Sequence, residues 1–119
     1  MSFRREVFDK VRFDESLIGY GHVEDADISK QVLSAGYKIL YEATAKLDHN
    51  PSSEDRPSSK RQAELTVVNY DRFFRKHWQQ TFLRRVAFWW TLAGLCLMFF
   101  PGAGWLGVFN GVRQIMRRD

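Results

Sequence analysis

The sequence predicts an α+β chain that closes on an apolar helical hairpin, and three observations carry that expectation. Ile28, Val32, Leu33 and Ala35 recur at helical spacing behind a cluster of carboxylates. Residues 37–41 alternate ring and aliphatic side chains as a strand does. Residues 86–109 hold no charged side chain.

Taken in order, residues 2–11 read as a short helix, with Ser2 as N-cap and Phe3, Val7, Phe8 and Val11 on one face. Residues 13–20 read as a loop, where Gly19 and Gly21 allow backbone angles that other residues resist. Tyr20 and His22 either line a pocket there or pack the loop. Glu24, Asp25 and Asp27 then crowd the first turn of a helix, where free N–H groups and the macrodipole favour negative charge, and Gly36 stops it. Capping alone accounts for acids in such a turn.

Gly36 also marks the turn into the strand at 37–41, and residues 45–47 suggest a second short strand. Residues 50–60, with Pro51, Pro57 and several serines, read as a loop. From Gln62 the pattern turns helical, with Tyr70, Phe74, Trp78, Phe82 and Val86 at four-residue intervals and Arg72, Arg75, Lys76 and Gln79 on other faces. The aromatic stripe leads into the apolar run, which favours lipid or a partner helix over nucleic acid.

The run 86–109, about 24 residues at 1.5 Å each, is long enough for a bilayer core of about 30 Å. Pro101, Gly102 and Gly104 interrupt it, leaving a kinked transmembrane helix or a hairpin lying in the interface, with the hairpin preferred. Trp89, Trp90 and Trp105 suit an interfacial belt, and Arg84, Arg85, Arg113, Arg117 and Arg118 flank both ends. The chain thus divides into residues 1–61, an amphipathic basic helix over 62–85, and a membrane-associated segment over 86–119. A net charge of +4 conceals acids gathered before Asp27 and bases after Arg56. The lone Cys96 excludes an internal disulfide and fits a reducing compartment. Arg4 and Arg5 precede no apolar stretch, so no secretory signal is expected.

A wider pattern gives the acids a chemical meaning. Phe3, Arg4, Arg5, Glu6, Val7, Phe8 and Asp9, then Phe13, Asp14 and Glu15, then Gly19 to Gly21, Glu24 to Ser29, Ala35 to Lys38, Tyr41 and His49 follow in a fixed order. In order and spacing they resemble the C-terminal half of family-2 nucleotide-sugar glycosyltransferases, over about the first half of the chain. The resemblance implies a fragment of the A-type, Rossmann-like fold. It makes Asp25 the base that takes a proton from the acceptor hydroxyl, a poor nucleophile at neutral pH, and makes Glu24 an orienting group. Tyr20, His22 and Asp27 fall on the acceptor side.

By the same resemblance His49 either helps hold a divalent metal, manganese or magnesium, on the donor diphosphate or is an ordinary loop histidine. Arg56, Lys60 and Arg61 either meet that diphosphate or belong to a solvated linker. Val11, Arg12 and Phe13 stand where the family has two glycines before its Phe-Asp-Glu, and Ala43 where it often has proline, so loop geometry differs. The family's donor-binding half and its Asp-x-Asp motif are not in the sequence, and Lys76, His77 and Trp78 replace the Gln-x-x-Arg-Trp of processive synthases. The expectation is therefore the acceptor-side portion of a non-processive, membrane-associated enzyme on the cytoplasmic face, inactive unless another chain supplies the donor-binding half. The alternative is a non-catalytic module that acts through membrane or partner association.

Overall fold

In the computed structural model, residues 1–19, 23–48 and 57–117 are described. A 3-10 turn at Arg5–Asp9 is followed by α1 (Glu24–Ser34), α2 (Ser59–His77), α3 (Phe82–Phe99) and α4 (Gly104–Met116). No strand occurs among the described residues, so the α+β, Rossmann-like expectation is wrong and the chain is all-helical. Residues 37–41 do run without helical structure, but a strand needs a hydrogen-bonded neighbour and among the described residues none lies beside them. Leu40 and Tyr41 are 87% and 93% exposed, which rules out a buried sheet face. Residues 45–47 likewise form no strand, and the Ala45 N–H bonds the Glu42 carbonyl in a turn.

Local signals set the ends of α1. Its first turn carries Glu24, Asp25 and Asp27. Its last turn closes through hydrogen bonds from the Gly36 N–H to the Leu33 carbonyl and from the Tyr37 N–H to the Val32 carbonyl. That double closure requires a left-handed residue, and Gly36 has φ +88°. The expected N-terminal helix shortens to the 3-10 turn, whose Val7, with Val11 after it, packs on Ile28 and Val32 of α1. Leu33, expected inside, is half exposed.

The long helix expected from Gln62 to Arg85 starts at Ser59 and divides at Trp78, whose backbone is extended. The aromatic stripe is thereby broken, and Phe74 stacks on Phe88 of α3 at 4.9 Å instead of continuing towards Phe82. At 100–103 the chain turns again, so the apolar run forms two helices.

Glycine sets how these helices pack. A Cβ on Gly107 would collide with the Lys60 carbonyl oxygen, and one on Gly111 would lie 2.7 Å from the Val67 Cβ. Numbers rise together along both helices, so α4 lies parallel to α2 at backbone contact. To bring the start of α4 to the start of α2, α3 runs back along the pair. It stands further off, because Phe88, Leu95 and Phe99 intervene around buried Leu92. The core between the three helices is Ala63, Val67, Val68, Leu92, Val108 and Ile115.

This packing predicts that Gly107→Ala lowers stability by about 1–3 kcal/mol in denaturant unfolding, as overpacking does. Gly94→Ala, which meets no atom within contact distance, is expected to be neutral or slightly stabilising.

Candidate functional site

A burial choice within the acidic turn builds the site. Of the three acids, Asp27 is 1% exposed, whereas Glu24 and Asp25 face solvent. A buried carboxylate needs partners, and Asp27 has three: Gln31 Nε2 at 2.7 Å and Lys76 Nζ at 2.9 Å on Oδ2, and His77 Nε2 at 2.7 Å on Oδ1. Gln31 is one turn along the same helix. Lys76 and His77 close α2, so the charge is met across two elements.

The loop before α1 is fastened to the same helix. Lys76 also donates to Asp14 Oδ2 at 2.6 Å, and Asp14 Oδ1 accepts from the Ser16 N–H. Gln31 donates to the Arg12 carbonyl as well. Further on, the side chain of Asn69, fully buried in α2, donates to the Ile18 carbonyl and accepts from the Ile18 N–H, replacing both bonds that a neighbouring strand would supply. Gly19, with φ +74°, lies against Leu65 so closely that a Cβ would overlap it.

Electrostatics follow from these contacts. The hydrogen bond from Lys76, with that from Ser16, holds the Asp14 carboxyl down at about 2. Burial pulls the Lys76 ammonium down, but its bonds to Asp14 and Asp27 outweigh this and leave it above the ordinary lysine value.

Glu24 borders an open pocket of about 250 Å³ with Phe13, Asp14, Glu15 and Leu17, and Asp25, the next residue of the turn, is exposed without lining it. Lys60 and Arg61 are exposed on the first turn of α2, where Arg61 pairs with Glu64 at 3.0 Å. Sixteen residues of helix, about 24 Å, separate Lys60 from Lys76, so the structure does not bring these bases to the acids. Tyr20, His22, His49 and Arg56 lie outside the described residues. Among those described, no three His, Cys, Asp or Glu side chains converge as a metal set, and the His49 on which the donor-metal expectation rests lies outside them.

Sequence reasoning missed Asn69, Lys76 and His77. Asn69 announces itself as a polar residue directly after Leu65, Thr66, Val67 and Val68, a stretch whose burial requires the amide to find partners. His77 gives no such signal.

At the far side, α3 is long and apolar enough to cross a membrane. Phe82, Leu83, Trp90, Leu97 and Met98 are exposed on it, and Leu92 is its one fully buried residue. Trp105, Leu106 and Phe109 continue the apolar surface on α4. Apolar exposure on this scale supports membrane association.

Because Asp14 has its pKa lowered in the folded chain, its contribution is present above the ordinary carboxylate value of 3.8 and is lost as pH falls towards about 2. Unfolding measured across that window is expected to show stability declining with acid in the native chain and a flatter profile in Asp14→Asn. The chain matches no protein-family model, no curated protein and no solved structure.

Proposed function

We propose that the chain is the acceptor-side portion of a membrane-associated glycosyltransferase, which moves a sugar from a nucleotide-sugar donor to a glycan or lipid-linked acceptor. One observation carries the reading. The acidic turn commits Asp27 to the interior, leaves Glu24 at the edge of an open pocket, and leaves Asp25, the next residue, presented to solvent.

In this reading the Asp25 carboxylate accepts the proton of the acceptor hydroxyl as its oxygen bonds to the anomeric carbon. The bond from that carbon to the diphosphate breaks, and its electron pair leaves with the nucleotide. Glu24, at the pocket edge, hydrogen-bonds the acceptor and orients it. Donor binding belongs to a separate donor-binding half, since Lys60 and Arg61 stand at the wrong end of α2. The exposed face of α3 seats in the bilayer, with Arg84 and Arg85 near one end and Arg113 and Arg117 near the end of α4 meeting anionic lipid at the cytoplasmic face.

A second reading, a non-catalytic module held on the membrane by α3, draws on the length of α2, about 24 Å from Lys60 to the Lys76 that meets Asp27, which keeps the described candidate donor ligands at the other end of that helix from the acidic turn. One measurement separates them, and another tests the membrane contact that both require. In the chain joined to a donor-binding half, Asp25→Asn is expected to lower transfer by roughly 10²–10⁴-fold while nucleotide-sugar binding is kept; retained turnover excludes Asp25 as base. Independently, Phe82→Glu with Leu83→Glu is expected to weaken sedimentation with anionic vesicles at least about tenfold.

A further inference from the structure

We infer that His77 is a positioning residue for the Glu24 and Asp25 carboxylates, acting through Asp27; the inference rests on the transferase reading of that pair. The apolar face of α1 packs on the N-terminal segment, through Val7 and Val11, and α1 makes no broad helix–helix contact with α2. The direct bonds that place its first turn against α2 are therefore those of one carboxylate, beside the ties of the preceding loop to Lys76 and Asn69.

Those bonds are not equivalent. Gln31 belongs to α1 and moves with it, so it cannot set where α1 sits. Lys76 is a flexible point charge, about a third exposed and shared with Asp14. Among the described residues His77 alone holds Oδ1, and its side chain is 9% exposed. Its ring is fixed by edge-on contacts with Phe73 at 4.9 Å and Trp78 at 6.1 Å. It is thus the stiff member of the set.

His77 also ends α2, immediately before the turn into α3. Lys30 of α1 lies over the Trp78 ring, 5.9 Å from its centre, and adds a second tie to that turn. The exposed acids are two and three residues from Asp27, so their position is referenced to the foot of the membrane helix. A shift of that foot is passed to the acids chiefly through the imidazole, the stiffest of these ties.

Amide exchange of the whole chain in detergent micelles tests this, comparing the native protein with His77→Phe, which keeps ring packing but removes both nitrogens, and His77→Gln, which restores a donor. His77→Phe is expected to speed exchange at the Asp27 and Ile28 amides at least about tenfold while Val67 and Val68 in α2 stay unchanged. His77→Gln is expected to return them to within about threefold of the native rate. Unchanged exchange in His77→Phe, or equal acceleration in both variants, overturns the inference. Loss of helical signal in His77→Phe with His77→Gln intact counts for it, and loss in both counts against it. Exchange needs neither donor nor acceptor, so an inactive transferase assay leaves the positioning result standing. Unchanged exchange beside an Asp25-dependent transfer removes His77 alone.

Discussion

The arrangement of this chain depends on keeping the Asp27 carboxylate out of water. An isolated buried carboxylate is costly enough that it is met by partners or not tolerated, and beside Gln31 of α1 itself the partners here come from the last turn of α2. That requirement makes α2 the reference element. The loop carrying Asp14 and Ile18, the first turn of α1 and the turn into α3 are all placed by its side chains. Removing one partner would leave charge without compensation, which is why such a cluster gives geometrical definition more than net stability.

A different physics holds the other side of α2. Gly107 and Gly111 let α4 approach to backbone contact, so close packing there comes from absent side chains, whereas α3 is held off by large ones. The consequence is asymmetric exposure: α4 hides its glycine face, while α3 turns Phe82, Leu83, Trp90, Leu97 and Met98 outward. One helix therefore carries polar chemistry on one end, the glycine seam along its length and the apolar surface beyond. The acids and the exposed apolar face of α3 meet through residues 77–82.

Local order was legible in the sequence and long-range partnership was not. The acidic turn and the Gly36 stop are consequences of backbone hydrogen bonding within a few residues, so they appeared where expected. The break near Pro101 was equally local. The alternation at 37–41 was a true pattern without the neighbour that makes a strand, and no spacing in the sequence supplies one. Among three adjacent acids nothing local distinguishes Asp27 as the buried one, apart from its place between Val23 and Ile28 on the inner face. That His77 would reach it depends on how a helix fifty residues later is laid across α1. Gly107 and Gly111 sit at the four-residue spacing that permits close approach, a signal hidden within an apolar run.

The most direct measurement of the central claim is a double-mutant cycle on unfolding free energy with Asp27→Ala, His77→Ala and the pair. The account predicts a coupling of about 1.5 kcal/mol or more, with the second substitution costing far less once the first is made. Additivity within about 0.5 kcal/mol would mean that the two side chains do not act on each other, and the contact between α1 and α2 would have to be explained without them.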